Sequence, residues 1–585
     1  MVDANTEVGR ARAANIDCVA MRRQGQDIMT SREPSTFQTL SRRARRRFWG
    51  WGTVDVALTA AELDRLGAMA RQLGGALLAA QEPREADFDL PAPKIAPPAT
   101  LAGMCSTSAY DRLTHSLGKS YADCARMWLR RLPDVVDLVA FPHDERSVVD
   151  LLDWATAARV AVIPFGGGSS VCGGVEPAVG DGHAGTLSID LERLHRVLEF
   201  DPDSRAARIQ AGALGPELEM QLKAHGVTLR HFPQSFEFST LGGWIATRAG
   251  GHYATLLTHI DDLVECTRTV TPAGALQTRR VPASGAGPAP DRLILGSEGT
   301  LGIVTEAWMR VQDRPRFRAS ASVRFKQYPQ AVQAVRAIAQ SGLYPANCRL
   351  LDPAETLFSG SGDGSHALLV LAFESADHAL DAWMQRAMEL ARDFGGEGDI
   401  DAGDGDHRRG AGGAWRNAFL RMPYWRDPAV GSGLIMDTFE TAVTWDRFAA
   451  LYDAVRQGVA DLAQRTTGRD AFVSCRFTHV YPDGPAPYFS FALPGGAPGD
   501  VASALAAWRE IKRGINALVI DHGGTSTHHH AVGRDHRPAY QNEVPLLYRE
   551  MLRAAKRVAD PAGIMNPGVL IDPWGAVAGP AGALA

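Results

Sequence analysis

Apolar and polar positions follow two successive rhythms along the chain. From residue 133, apolar runs of strand length alternate with stretches of helical period. A strand is predicted over 135–141, and Pro142-His143-Asp144 reads as a turn ending in an N-cap acid. Val148, Leu151, Leu152 and Ala155 then fall at i, i+3, i+4 and i+7, the stripe by which a helix lies on a sheet. A buried strand over 160–164 runs into a run of glycines. Strands over 185–191, 196–200 and 205–211 and a helix over 216–225 follow. This is α/β alternation, and its glycine turn does not have the Rossmann spacing.

After residue 315 the second rhythm begins. Strands are predicted over 319–325, 348–351, 367–373, 434–439, 471–478 and 488–493. Helices are predicted over 329–340, 377–394, 445–463 and 501–521. Two β-α-β sets feeding one mostly antiparallel sheet describe a separate α+β domain. Between the sets, residues 395–413 are rich in Gly and Asp and read as a mobile loop. The organisation expected is a polar tail (1–40), an N-terminal helical region (41–132, with a helix over 60–73 and a linker over 80–99), an α/β unit (133–314), the second domain (315–520) and a C-terminal segment (521–585) with a helix over 543–559.

Composition narrows the function classes. The 585 residues are 45% hydrophobic, and 61 basic against 66 acidic residues leave a formal charge of −5. Such a chain buries a sizeable core and has no global basic field to hold nucleic acid. No apolar run approaches the roughly 18 residues of a membrane span. The seven cysteines are scattered with no C-x-x-C pair, so a reducing compartment, the cytoplasm, is expected. A basic run (Arg42, Arg43, Arg45, Arg46, Arg47) meets Phe48-Trp49-Gly50-Trp51. It reads as a solvated arm whose aromatics dock on the body, with a lipid-headgroup anchor as the other reading.

Three segments carry the candidate chemistry. In Pro164-Phe165-Gly166-Gly167-Gly168-Ser169-Ser170, missing Cβ atoms let several backbone N–H groups converge on one anion. No lysine stands in the Walker position, which disfavours a nucleotide triphosphatase; alone, the run is equally compatible with a tight turn. In Gln234-Ser235-Phe236-Glu237-Phe238-Ser239-Thr240 and the nearby Thr247-Arg248-Ala249-Gly250, hydroxyls, glycine and aromatics are interleaved, which suits phosphates and a flat ring together. In Glu298-Gly299-Thr300-Leu301-Gly302-Ile303-Val304 a strand follows a compact glycine turn.

Together and in this order, the three segments resemble the flavin-binding domain of the vanillyl-alcohol oxidase superfamily. The resemblance implies FAD with its pyrophosphate in the glycine loop, an FAD-binding domain of two α/β subdomains, and an α+β substrate cap. The glycine loop carries no histidine, so the FAD is expected to be non-covalent. Within the superfamily the chain is similar to the alkyl-dihydroxyacetone-phosphate synthases. The similarity runs through Phe48-Trp49-Gly50-Trp51-Gly52, Cys348-Arg349-Leu350-Leu351-Asp352, Tyr424-Trp425-Arg426-Asp427 and Ser526-Thr527-His528-His529-His530.

That resemblance implies a transferase that exchanges the acyl group of acyl-dihydroxyacetone phosphate for a long-chain alcohol, with the flavin as electron sink and no net redox change. It makes Tyr488 the acid/base, His528, His529 and His530 catalytic residues that tune it, and Arg426 and Arg349 the substrate-binding arginines. The partners expected are a lipid phosphate, a long-chain alcohol, a second copy in a homodimer and peripheral contact with a membrane. The ending Met565-Asn566-Pro567-Gly568 looks more like lactate-oxidising flavoenzymes and keeps a 2-hydroxy-acid oxidoreductase as the alternative.

Read from the residues alone, Tyr488 is first a core strand aromatic and either arginine a surface salt-bridge partner; the resemblance reverses the reading of Tyr488. In a strand, His528 and His530 would share one face and His529 the other, so no metal site is expected of the three. Imidazoles beside Tyr488 would stabilise the phenolate and lower its pKa from about 10.

Overall fold

The computed structural model describes residues 43–401 and 410–572; the tail 1–40 lies outside them. The helix Glu145–Ala158 starts at Asp144, whose carboxylate accepts the Ser147 N–H at 2.8 Å, and it buries Val148, Leu151, Leu152 and Ala155. It touches strands of two sheets. One has the order Cys105–Ser106, Leu138–Ala140, Thr186–Asp190, Ala161–Phe165, and its last three strands run parallel. Their residues are buried almost throughout, the mark of parallel strands covered on both faces. The other is antiparallel, in the order Val197–Asp201, Ala206–Gln210, Ile303–Arg310, Val264–Thr271, Gly274–Gln277. One core cluster, including Val162, Ile189, Trp244 and Ile303, joins the two sheets.

The second domain is a six-stranded antiparallel sheet in the order Phe317–Phe325, Ala367–Ser375, Asn347–Leu351, Phe472–Val480, Pro485–Pro494, Leu434–Glu440. The two β-α-β sets meet where Leu351 pairs with Arg476. Side chains alternate along each strand, so neighbours in register share a face. Cys348, Leu350, Phe439, Cys475, Phe477, Phe489 and Phe491 form one core with residues of the helices Tyr328–Gln340 and Trp445–Thr467. Arg349, Thr438, Glu440, Arg476, Tyr488 and Ser490 occupy the alternate positions and form the opposite face.

Three expectations change. The stretch read as a mobile loop is pinned at one end, where Glu397 and Ile400 bridge Arg324 and Ala321; at the other end it is helical, and 402–409 lies outside the described residues. That helix, Gly410–Gly431, contains Pro423 and Pro428, which hid it from pattern reading. Pro423 has no N–H for the Phe419 carbonyl four residues back; the Gln234 side-chain amide donates to that carbonyl instead, at 2.7 Å. The predicted C-terminal helix is present as Leu546–Ala559, and an unpredicted short helix, Arg537–Glu543, precedes it, ending before Pro545. The chain then returns to the parallel sheet, where Met565 bridges Val162 and the Asn566 amide donates to the Gly174 and Glu298 carbonyls at 3.1 and 2.7 Å.

Candidate active site

A cavity of about 340 Å³ opens between the glycine turns of the first domain and the polar face of the six-stranded sheet. The first turn leaves the strand Ala161–Phe165. A Cβ at Gly166 would overlap the Thr240 hydroxyl, one at Gly167 would overlap the Phe238 carbonyl, and Gly168 has φ +66°. Backbone therefore packs on backbone here, and any side chain would force the two segments apart. Across the cavity Gly250 lies under His529, where a Cβ would meet the His529 Cβ at 3.0 Å.

Most of the sequence-derived residues line this space. Pro164 through Ser170, Gln234, Ser235, Ser239, Thr240, Thr247, Ala249, Gly250, Glu298, Gly299, Gly302, Ile303 and Val304 are on its wall. Six others are not. Phe236 stacks on Trp244, and Phe238 meets Trp51 edge to face at 5.5 Å. Glu237 is exposed. Arg248 ends the short helix Leu241–Thr247 with φ +51° and pairs outward with Asp261 at 3.0 Å. The Thr300 hydroxyl donates to the Ser297 carbonyl at 2.7 Å, and Leu301 is in the core. Glu298 faces the cavity, but its carboxylate accepts the Val532 and Gly533 N–H groups at 2.9 and 2.7 Å. Burial pushes its pKa up to about 7.

Of the basic run, Arg42 lies outside the described residues and Arg45 is exposed beside Glu85, but Arg43, Arg46 and Arg47 turn inward. Arg43 donates to the Gly166 and Gly212 carbonyls at 2.8 and 2.9 Å, Arg46 donates to the Gly167 carbonyl, and Arg47 donates to the Val56 carbonyl. The docking of the aromatics agrees with the first reading, with Phe48 buried and Trp51 on the cavity wall.

At the other end of the cavity, Tyr488 is buried on its strand and donates to the Thr438 hydroxyl at 2.9 Å. The Arg476 guanidinium lies 4.0 Å over its ring, while the His529 and His530 rings stand 6.0 and 5.5 Å away. Burial raises the phenol above its ordinary value, and Arg476 and the Thr438 hydrogen bond offset this only in part. The expected lowering by imidazoles is corrected on this point. Burial pushes His529 down to about 3 and His530 to about 4, so both are neutral at pH 7 and carry no charge to stabilise a phenolate.

The histidine run is not a strand. It wraps a carboxylate that the sequence reading did not single out. Glu440 accepts the backbone N–H groups of His528, His529 and His530 at 2.6, 3.0 and 2.9 Å, and the Thr527 hydroxyl at 2.6 Å. Burial opposes its charge, but it lies well below the usual carboxylate range, with the Thr527 hydroxyl hydrogen bond favouring the charged form. His529 and His530 both line the cavity, whereas His528 turns away to Tyr481 at 2.9 Å. Ring nitrogens of His479, His528 and His529 come within 4.8 Å of one another. His479 already contacts Thr478 and the Gly251 carbonyl, and His528 contacts His529.

The arginines reach the cavity from different elements. Arg349, from the sheet, donates to the His252 carbonyl at 3.2 Å and lies over the Trp415 and Phe419 rings. Among the described residues no carboxylate lies within 4 Å of it; burial and the neighbouring Arg476 push its pKa down to about 10. Arg476 is neutralised by Glu355 at 2.8 Å. Arg426, from the proline-containing helix, contacts the Cys124 sulfur at 3.5 Å. Its charge is opposed by burial and favoured by Cys124, Asp427 and Asp437.

Residues 136–279 match the family model described as FAD binding domain, and residues 314–570 match that described as FAD linked oxidases, C-terminal domain. The alkyldihydroxyacetonephosphate synthase of Dictyostelium discoideum is 33% identical over 478 residues, 79% of this chain and 77% of that one. The chain belongs to the alkyldihydroxyacetonephosphate synthase family. The Trypanosoma brucei brucei member is 30% identical over 79% of this chain and 78% of its own. A solved alkyldihydroxyacetonephosphate synthase structure superposes with a TM-score of 0.72 at 27% identity, covering 89% of this chain and 98% of that one. The cofactor is FAD, and the fold is the expected two-part FAD-binding unit with an α+β cap. The residues of the first turn fit it: Gly166 to Gly168 bring bare backbone to the cavity wall, and the hydroxyl-bearing residues Ser169 and Ser170 stand beside them.

Proposed function

We propose that this chain exchanges the acyl group of acyl-dihydroxyacetone phosphate for a long-chain alcohol, without net redox change. The observation that carries the reading is one cavity shared by the glycine turn, Tyr488 and Arg349, a buried cation with no carboxylate within 4 Å among the described residues. A desolvated guanidinium without a counter-charge favours an anionic ligand, and its fork suits a phosphate. Arg426 enters from the helix side as the second cation. Phe358, Phe419, Met422 and Phe472 give the cavity an apolar side for an alkyl tail.

In the exchange, the bond between C1 and the acyl oxygen breaks and the fatty carboxylate leaves with the electron pair. A bond from C1 to the alcohol oxygen forms, and the alcohol loses its proton. Tyr488 handles the proton at C1, with His529 and His530 next to it. Bound FAD, held without a covalent link, supplies the electron sink. The test is incubation of purified protein with acyl-dihydroxyacetone phosphate and a fatty alcohol, with no electron acceptor, and mass analysis of the products. An ether product and a free fatty acid are expected; flavin bleaching by a 2-hydroxy acid with no ether product would end the reading. The Asn566-Pro567 ending does not favour that oxidoreductase, because the Asn566 side chain is used in bridging the glycine turns.

A homodimer and peripheral membrane contact belong to the same proposal. No helix among the described residues is long and apolar enough to cross a membrane. The helix Leu546–Ala559 does turn Leu547, Met551 and Val558 outward, exposed by 73%, 63% and 75%. Flotation with liposomes tests the contact; protein left wholly in the bottom fraction would remove it.

A further inference from the structure

The arm at residues 43–51 has no part in the chemistry above, yet two of its arginines reach the back of the cofactor's glycine turn. Arg43 Nη1 donates to the Gly166 carbonyl at 2.8 Å, and Arg46 Nη1 donates to the Gly167 carbonyl. A trans peptide is planar, with its N–H opposite its C=O. Carbonyls turned back toward the arm therefore turn the N–H groups of Gly167 and Gly168 the other way, toward the cavity these residues line. A charged donor on each carbonyl also polarises the peptide and strengthens its N–H as a donor.

Two carboxylates face the two guanidinium groups behind the turn. Arg43 has Asp190 at 3.6 Å and Glu192 at 3.7 Å, but among the described residues no carboxylate lies within 4 Å of Arg46. The arm itself is anchored at several points. The Arg46 N–H reaches the Tyr110 hydroxyl at 2.7 Å, Lys119 donates to the Arg47 and Phe48 carbonyls at 3.2 Å, and the Trp51 N–H meets Asp427 at 2.9 Å.

We propose that Arg46, with Arg43, is a positioning residue of the FAD site, holding the glycine turn in its anion-binding orientation with a guanidinium behind each of two peptides. The arm is then part of the cofactor site and not a surface appendage.

The test is fluorescence titration of the apoprotein with FAD and with riboflavin, which lacks the diphosphate. For R46Q the FAD Kd is expected to rise by about tenfold or more while the riboflavin Kd changes by less than about twofold, and R46K recovers most of the FAD affinity. The FAD Kd of R46Q should also depend less steeply on salt than that of the wild type. An R46Q FAD Kd within about twofold of wild type, or an equal loss for both ligands, overturns the proposal. Should R46Q fail to fold, R43Q takes the same titration with the same two criteria.

Discussion

Tyr488 has its phenol on Thr438, a guanidinium over its ring and two neutral imidazoles beside it. Removing only the hydroxyl with Tyr488→Phe keeps the ring packing and should cost at least about 2 kcal/mol in the barrier. The expected result is kcat down by about thirtyfold or more with flavin absorbance retained; unchanged turnover would show that this phenol moves no proton.

Glu298 gives a second prediction at this scale. Its folded-state pKa of about 7 lies above the ordinary 4.5, so between those values the folded chain holds a proton that the unfolded chain has lost. This contribution is present below pH 4.5 and fades as pH rises to 7, by about 1.4 kcal/mol per pH unit relative to Glu298→Gln. Urea unfolding of both proteins at pH 5 and pH 7 measures the difference, and parallel pH dependences would refute it. Glu298 was legible as a site residue from its motif; that its carboxylate serves Val532 and Gly533 was not, because those partners are more than 200 residues away in sequence.

Strand periodicity was the most readable level of the elements. Alternation in 472–480 and 485–494 already separates Cys475, Phe477, Phe489 and Phe491 from Arg476, Tyr488 and Ser490, and the sheet keeps that division. The histidine run was misread because its shape is imposed by Glu440, a contact from 88 residues upstream for His528. Glu440→Ala would strand the His528 and His529 backbone donors, each costing about 1–3 kcal/mol when buried unpaired, while the His530 N–H keeps the Thr527 hydroxyl. A loss of at least about 2 kcal/mol in unfolding free energy is expected, with faster amide exchange at 527–530. Exchange rates unchanged there would contradict the role given to Glu440. The helix Gly410–Gly431 was hidden for a different reason: proline argues against helix locally, and the Gln234 contact that takes up the freed carbonyl is tertiary. In the glycine turn, Gly167→Ala places a methyl on the Phe238 carbonyl. Overpacking of about 1–3 kcal/mol and loss of FAD uptake are expected, read by the yellow colour of the purified protein.

For the whole molecule, the described residues form one unit from Arg43 to Asp572, although the pattern suggested several parts. Composition and rhythm identified the α/β half and the sheet domain, but not the arm and the C-terminal return that bind them together. Thermal unfolding should therefore follow one transition that FAD moves upward, since a ligand at about 100 times its Kd adds about 2.7 kcal/mol to the folded state. Two separate transitions, only one of them sensitive to FAD, would show that the halves unfold independently.

The return of the chain also sets an order of events during synthesis. Val162 lies in the strand that carries the glycine turn, but its backbone partner, Met565, and the Asn566 amide that ties Gly174 to Glu298 are made some 400 residues later. A ribosome-bound chain that still lacks these residues has its cofactor seat open at one edge. Flavin loading is therefore expected only after this return is made, and nascent chains stalled before residue 560 should show no flavin fluorescence.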